Sequence, residues 1–375
     1  MAVSSNNKIK VLIIDDSALI RKLLTGILNS AWDIEVVGTA PDPIIAREKI
    51  KKLNPDVLTL DVEMPKMDGI SFLSNLMRLR PMPVVMVSSL TEKGADVTLE
   101  ALELGAVDFI SKPKIDIADG LSAYSDEIIE KVKTAARAKV RGSFDSPLKP
   151  TRKYSADAVI RIKKQKHLKT TEKIIAIGAS TGGTEVIKQI LMAMPAHAPG
   201  IVITQHMPES FTGPFAERMN RFSAMTVYEA RDNQQILPGH VYIAPGNRHL
   251  MVKRSGTRYL CQLLDGLPVN RHRPSVDVLF RSVSQNVGVN AIGILLTGMG
   301  ADGAQGLKEM HDAGATTIIQ DEKTSVVWGM PGEAYRLRAF DHVEPIETIP
   351  SRVQKILASM DQPDTEEIVK RGTAR

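Results

Sequence analysis

Short, almost unbroken runs of Val, Ile and Leu recur along the chain, each followed by a stretch of helical periodicity. In the first 130 residues the runs read KVLIID, IEVVGTA, DVLTLD, PVVMVSS and AVDFISKP. Strands this apolar have no polar face to turn to water, so they belong to a parallel sheet covered by helices on both sides. Between them lie segments such as SALIRKLLTGIL, where Leu19, Leu23, Leu24 and Ile27 recur at near-helical spacing. The alternation resumes at Thr171 with KIIAIG, GIVITQH, HVYIAPG and NAIGILLTGMG. Residues 240–264 read as a small β-meander inserted among helical parts, with RSG as a turn. The expected fold class is therefore α/β throughout: a flavodoxin-like (βα)5 unit over 8–130, then a doubly wound parallel sheet over 171–358.

The intervening residues 131–170 differ in composition. Residues 131–173 hold 14 Lys and Arg against 3 Asp and Glu, although the whole chain is only +5. A polar, Lys-rich stretch with few apolar residues reads as a flexible linker. The basicity is thus local, and it does not mark a nucleic-acid-binding protein. Residues 359–375 are charged and are expected to form a disordered tail. No apolar run approaches the roughly 18 residues of a membrane span, and Met1–Lys8 lacks the apolar core of a signal peptide. With one cysteine, Cys261, no internal disulfide is possible, and the expected location is the cytoplasm without membrane insertion. Cys261 lies in RYLCQLL and reads as a buried strand residue rather than a catalytic thiol.

In a parallel α/β sheet, functional groups collect at the carboxyl ends of the strands. In the first unit those ends carry Asp15 and Asp16, Asp61, Ser88 and Lys112. Three neighbouring carboxylates repel one another unless a cation shares them, and an all-oxygen set with room for water and phosphate suits Mg²⁺. Asp61 is then placed to attack a phosphoryl donor, Lys112 supplies counter-charge, and Ser88 is placed to sense the transferred group. Taken singly these residues have plainer readings: Asp16 or Ser17 as a helix cap, Asp68-Gly69 as a turn.

The second unit opens with GASTGG, residues 178–183. As a dinucleotide loop it fits poorly, because Ser180 occupies the position of the second glycine and the next strand ends in Gln205-His206 rather than an acid. GMGADG, with Gly298, Gly300 and Gly303 and Asp321 about 20 residues later, fits that fingerprint better. Asp302, however, would compete with a pyrophosphate for the donors of the following helix N-terminus. The hydrolase reading uses the same residues without conflict. GASTG fits G-x-S-x-G, the next strand delivers His206 to the same edge, and LLTGMGADG delivers Asp302. A hydroxyl needs a base within reach and an acid to orient that base. Backbone N–H groups near the nucleophile, Thr181 first, would hold the oxyanion. The order Ser, His, Asp departs from that of ordinary α/β-hydrolases, so a different fold with convergent chemistry is expected. His240, His249, His311 and His342 lack metal-ligand spacing, which argues against zinc. Arg271, His272 and Arg273 either line a groove for acidic substrate or support a turn.

DDS, LDVEMPKMDG, SS and SKP together resemble the receiver domain of bacterial response regulators. That resemblance implies Asp61 as phosphoacceptor, Mg²⁺ held by Asp15, Asp16, Asp61 and the Glu63 carbonyl, and Ser88, Phe109 and Lys112 as switch residues. Behind it, GASTGG, ITQHMP, YIAPG, NRHRPSVDVLF and LTGMGADGAQG resemble the chemotaxis protein-glutamate methylesterases, the CheB family. The likeness covers residues 8–357. It implies hydrolysis of glutamate γ-methyl esters on methyl-accepting chemotaxis receptors, releasing methanol, and deamidation of receptor glutamines. It also implies Ser180 as nucleophile, His206 as base, Asp302 as orienting acid and the Met299 backbone near the oxyanion. The histidine kinase CheA would be the phosphodonor, and the unphosphorylated receiver would restrain the esterase by covering its mouth. No nucleic-acid partner is expected, since no basic recognition helix appears.

Overall fold

The computed structural model describes residues 8–64, 68–89, 92–112, 121–138, 155–160 and 172–360. The chain divides into two compact units, Met1–Pro150 and Thr151–Arg375. In the first, five strands alternate with five helices: β1 Ile9–Ile14, α1 Ala18–Asn29, β2 Ile34–Ala40, α2 Pro43–Leu53, β3 Val57–Asp61, α3 Gly69–Leu79, β4 Val84–Ser88, α4 Glu92–Glu103, β5 Asp108–Ser111 and α5 Leu121–Arg137. The sheet is parallel throughout with order β2-β1-β3-β4-β5. β1, β3 and β4 are buried almost end to end, as strands covered on both faces must be.

The buried face of α1 is one residue out of step with the expected one. Ile20, Leu24, Ile27 and Leu28 turn inward at i, i+4, i+7, i+8 spacing, whereas Leu19 is 55% exposed. Ser17 caps α1, one of its plain readings, whereas Asp68-Gly69, expected as a turn, is the N-cap and first residue of α3. α5 continues to Arg137, with Val132 and Ala135 buried, so the first seven residues of the expected linker are helix. An apolar stripe hidden among the lysines carries it that far.

The second unit begins with a single 3₁₀ turn, Ala156–Ala158, also within the expected linker. Then follow β6 Ile174–Ala179, α6 Gly183–Ala193, β7 Gly200–Gln205, α7 Glu209–Phe222, β8 Thr226–Glu229, β9 His240–Ile243, β10 His249–Ser255, β11 Arg258–Leu264, α8 Val276–Asn286, β12 Ala291–Leu295, α9 Ala304–Asp312, β13 Thr316–Gln320, α10 Met330–Arg336, β14 His342–Glu344 and α11 Ile349–Met360. Seven strands form a parallel sheet in the order β14-β13-β12-β6-β7-β9-β8. From β6 the chain builds outward through β7, then returns to add β12 on the other side. The strand order therefore reverses between β6 and β12, and a crevice opens there at the carboxyl ends.

The expected meander is corrected in detail. β9 joins the main sheet, pairing with β7 and β8, and only β10 and β11 form a separate antiparallel hairpin, turning at Gly256. Tyr242 and Val241 on β9 are fully buried, so this strand earns its place between two parallel neighbours rather than at a hairpin edge. The inner face of the hairpin packs Leu250, Val252, Tyr259, Cys261 and Leu263 into the core with α8. Cys261 is a buried strand residue, as expected. Among the described residues no helix is long and apolar enough to cross a membrane. The expected tail and most of the expected linker lie outside the described residues, as do Pro65–Met67 of the MPKMDG stretch.

Candidate functional sites

At the reversal point of the first sheet, between β1 and β3, Asp15 and Asp61 stand fully buried at the strand ends with exposed Asp16 beside them. One carboxylate oxygen from each lies within 4.8 Å of the others. Lys112 Nζ reaches Asp61 Oδ2 at 2.7 Å and Asp15 Oδ2 at 3.8 Å. Burial pushes the Asp61 carboxyl up to about 6; the Lys112 hydrogen bond opposes this and the neighbouring Asp15 charge adds to it. Burial raises Asp15 as well. Buried Asp15 Oδ2 has no hydrogen-bond partner. An all-oxygen donor set with one buried oxygen unanswered fits a hard divalent cation such as Mg²⁺, with Asp15, Asp16 and Asp61 as the side chains to hold it. Glu63 follows Asp61 by two residues, and its N–H donates to Asp61 Oδ1 at 3.2 Å, which places its backbone at the site. Ser88 is buried at the end of β4; its hydroxyl faces the Ser89 and Gly94 carbonyls, each at 3.2 Å, at the start of α4. Phe109 is buried on β5.

At the reversal point of the second sheet, three adjacent strands deliver three side chains. Ser180 follows β6, His206 follows β7, and Asp302 lies on the loop after β12. His206 Nδ1 lies 3.1 Å from Ser180 Oγ, and His206 Nε2 lies 2.8 Å from Asp302 Oδ2. The imidazole therefore presents Nδ1 to the hydroxyl and donates Nε2–H to the carboxylate. Asp302 is buried and collects further donors: the Val276 N–H at 2.7 Å on Oδ2, and on Oδ1 Asn270 Nδ2 at 2.7 Å, Ser275 Oγ at 2.8 Å and the Asp277 N–H at 3.3 Å. Burial alone would raise this carboxyl, but the His206 hydrogen bond and charge, with His272 and Asn270, hold it well below the usual range. Asp277, buried beside it, is displaced the opposite way by burial and by the Asp302 charge.

Asp302 thus serves the first turn of α8, whereas the sequence pointed to the helix directly after GMGADG. Ser275, the residue preceding α8, makes no side-chain cap of its own, and the Asp302 carboxylate fills that role from a distant loop. Asp321, the acid the dinucleotide reading required, is turned onto its own loop, accepting from the N–H and hydroxyl of Thr324. The Ser180 N–H donates to the Thr297 carbonyl at 3.0 Å, which removes it from the oxyanion donors. Thr181 and Met299 lie on the two loops that flank Ser180.

The turn that carries Ser180 depends on close backbone approach. Gly182 has φ +76, and a Cβ there would meet Val326 at 2.7 Å. A Cβ on Gly298 would meet Met330 Sδ at 2.3 Å and Ser180 Cβ at 2.8 Å. Gln205, buried at the end of β7, donates Nε2 to the Ser180 carbonyl at 2.9 Å and to the His206 carbonyl at 3.2 Å, tying two of the loops together. The YIAPG stretch supports His206 from behind, since Gly246 packs directly on the Pro208–Glu209 backbone and donates its N–H to Thr212 Oγ1. Val326, Met330, Gln205 and Asn270 were not singled out from sequence. Gln205 and Asn270 fall within ITQHMP and NRHRPSVDVLF without a role read for them, and nothing in a linear pattern shows that residues 326–330 return to Ser180. Of the three basic residues before PSVD, Arg273 braces loops through Asn247 and the Gly266 carbonyl, and His272 stacks on His206 with ring centroids 3.7 Å apart.

Comparison with known proteins gives a consistent result. Residues 175–353 match the family model of the CheB methylesterase, and residues 11–123 that of the response regulator receiver domain. The chain is 60% identical over 349 residues to the protein-glutamate methylesterase/protein-glutamine glutaminase 1 of Geobacter metallireducens, covering 93% of this chain and 96% of that one. To the protein-glutamate methylesterase/protein-glutamine glutaminase of Hydrogenovibrio crunogenus it is 56% identical over 373 residues, with 94% of this chain and 99% of that one covered. A solved structure, the CheB methylesterase catalytic domain of Thermotoga maritima, is 36% identical and aligns over 50% of this chain and 100% of its own, with a TM-score of 0.49.

Proposed function

The chain belongs to the CheB methylesterase family, and from that premise we propose that it is a phosphorylation-controlled serine esterase of the cytoplasm. It hydrolyses glutamate γ-methyl esters on methyl-accepting chemotaxis receptors and deamidates receptor glutamines. The observation that carries the reading is the continuous hydrogen-bonded line Ser180–His206–Asp302, drawn from three adjacent strand ends.

In the proposed reaction His206 Nδ1 takes the Ser180 proton as Oγ attacks the ester carbonyl. Asp302 holds Nε2–H, fixes the tautomer and offsets the charge of the imidazolium. The tetrahedral oxyanion is held by the backbone at Thr181 and Met299, with the N-terminus of α6 adding its dipole. Collapse returns the proton from Nδ1 to the methoxy oxygen and releases methanol, leaving a glutamyl ester on Ser180. Water, activated by the same nitrogen, then frees the glutamate carboxylate. With glutamine the leaving group is ammonia, so proton delivery from His206 carries more of the barrier.

In the receiver, Asp61 is the proposed phosphoacceptor, with CheA as donor. Mg²⁺ held by Asp15, Asp16, Asp61 and the Glu63 carbonyl would offset phosphoryl charge when bound. Lys112 neutralises the transferred group, and Ser88 and Phe109 report it. Replacing Ser180 by Ala is expected to lower methanol release from methylated receptors by at least ~10³-fold with the fold intact. Turnover near wild type would remove the serine mechanism, and NAD binding that survives the change would favour the nucleotide reading instead.

A further inference from the structure

The segment between the β10–β11 hairpin and α8 makes a tight turn that the esterase mechanism does not itself use. Val269 and His272 pair across it, with the Val269 N–H 3.0 Å from the His272 carbonyl and the His272 N–H 2.8 Å from the Val269 carbonyl. The two central residues, Asn270 and Arg271, have φ of +51° and +73°. Asparagine tolerates that conformation, but arginine adopts it at a cost of about 1 kcal/mol or more. A turn of this kind is ordinarily filled by glycine, so the strain is retained for something the turn delivers.

It delivers two contacts, one to Asp302 and one to His206, the two residues in line behind Ser180. From Asn270 one amide nitrogen donates to Asp302 Oδ1 at 2.7 Å and to Asp277 Oδ2 at 2.6 Å. With two N–H bonds it can serve both carboxylates at once, keeping two buried acids from facing each other directly. The opposite orientation of their proton affinities agrees with this placement, Asp302 being held low and Asp277 pushed up by burial and by Asp302. From His272 the imidazole lies flat on that of His206, 3.7 Å between centroids and 11° between planes. A ring stacked this closely blocks rotation of His206 and covers one of its faces. The base of the turn is fixed too, because Val269 is fully buried in a small cluster with Ala156 and Val278.

We infer that the Val269–His272 turn is a clamp on the His206–Asp302 pair, in which Asn270 and His272 are positioning residues that hold carboxylate and imidazole in line with Ser180. The inference rests on the ester-hydrolysis reading and adds to it the part of the chain that sets the geometry of the relay. Asn270 acts through Asp302 and His272 through His206; neither exchanges a proton with substrate.

The test uses the full-length protein with methyl-esterified receptor in membranes, reading kcat and KM from methanol release. Asn270→Gly removes the amide while relieving the backbone, so it separates the hydrogen bond from strain. His272→Ala removes the stacked ring, and His272→Phe restores a flat ring without nitrogen. The clamp predicts that Asn270→Gly and His272→Ala each lower kcat by roughly 10- to 100-fold, with KM held within about twofold. His272→Phe recovers most of the loss. In nitrogen-15 histidine-labelled protein, the downfield His206 Nε2 proton is lost or broadened in the first two variants and kept in the third. Unchanged kcat in both Asn270→Gly and His272→Ala, a His272→Phe variant as defective as His272→Ala, or an undisturbed Nε2 proton in an inactive variant would overturn the clamp. Ser180→Ala run alongside distinguishes the two levels: it should abolish turnover yet keep the Nε2 signal, and failure to abolish turnover would count against the esterase reading rather than the clamp.

Discussion

Gly298 shows how little room surrounds Ser180. A methyl group there would overlap Met330 Sδ and press on Ser180 Cβ, so Gly298→Ala is expected to cost about 1–3 kcal/mol through overpacking. It is also expected to lower kcat by about 10²-fold through displacement of the hydroxyl; thermal unfolding and methanol release measure the two effects separately. Cys261 makes the opposite case, a residue whose chemistry is suppressed by position. Burial pushes its thiol up to about 12, with the Asp232 charge adding to the shift, so at about pH 8 almost no thiolate is present. An aromatic disulfide reagent should leave the native protein unmodified and react with one thiol per chain after unfolding. At this scale the three residues that the fold brings into one hydrogen-bonded line were legible in the sequence, and their supports were not. Ser180, His206 and Asp302 announced themselves as strand-end residues of the right chemistry. Gln205 and Asn270 are ordinary amides until a fold places them against a carbonyl or between two carboxylates.

Among the elements, α8 joins the most functions. Its first turn is capped by Asp302, and its middle residue Arg281 is buried, donating to both carboxylate oxygens of Glu309 on α9 at 2.8 and 2.5 Å and to Asp157 in the 3₁₀ turn at 2.7 Å. Asp157 is largely exposed, so its arm adds little; the Glu309 pair carries the stability. Arg281→Ala removes a buried guanidinium and leaves the partly buried Glu309 without its partner, and is expected to cost about 2–3 kcal/mol, measured by denaturant unfolding. Methanol release at low temperature should fall less than stability does. The strands were legible because apolar runs of five or six residues admit few other folds. β8 and β14 are short, partly exposed strands at the two sheet edges and carry little apolar signal; β13, buried between β12 and β14, also went unread, its TTIIQ opening on two threonines. The meander resolved into a hairpin plus a sheet strand because a single turn signal cannot say which neighbour a strand will pair with. In α1, crowded leucines blurred the phase of the buried face by one residue.

For the molecule as a whole, both units place their chemistry where a parallel sheet reverses its strand order: β1 against β3 in one, β6 against β12 in the other. Because strand ends are readable as the last residues of apolar runs, both clusters are legible in the sequence. What it could not supply was the long-range geometry of loops, such as the return of residues 326–330 to Ser180. If the receiver governs the esterase as proposed, a small-molecule phosphodonor should raise methanol release several-fold. Chelating Mg²⁺, or changing Asp61 to Asn, should abolish that rise while leaving basal turnover, and removing residues 1–140 should raise the basal rate itself. A truncated, folded protein with unchanged or lower turnover would exclude restraint by the receiver.

The double duty of Asp302 has a practical corollary. Because one carboxylate both orients the imidazole and tethers the start of α8, deleting it disturbs scaffold and chemistry together, and the resulting dead enzyme would be an ambiguous reagent. Anyone wishing to trap the receptor on an inert but faithfully shaped surface should silence the hydroxyl instead.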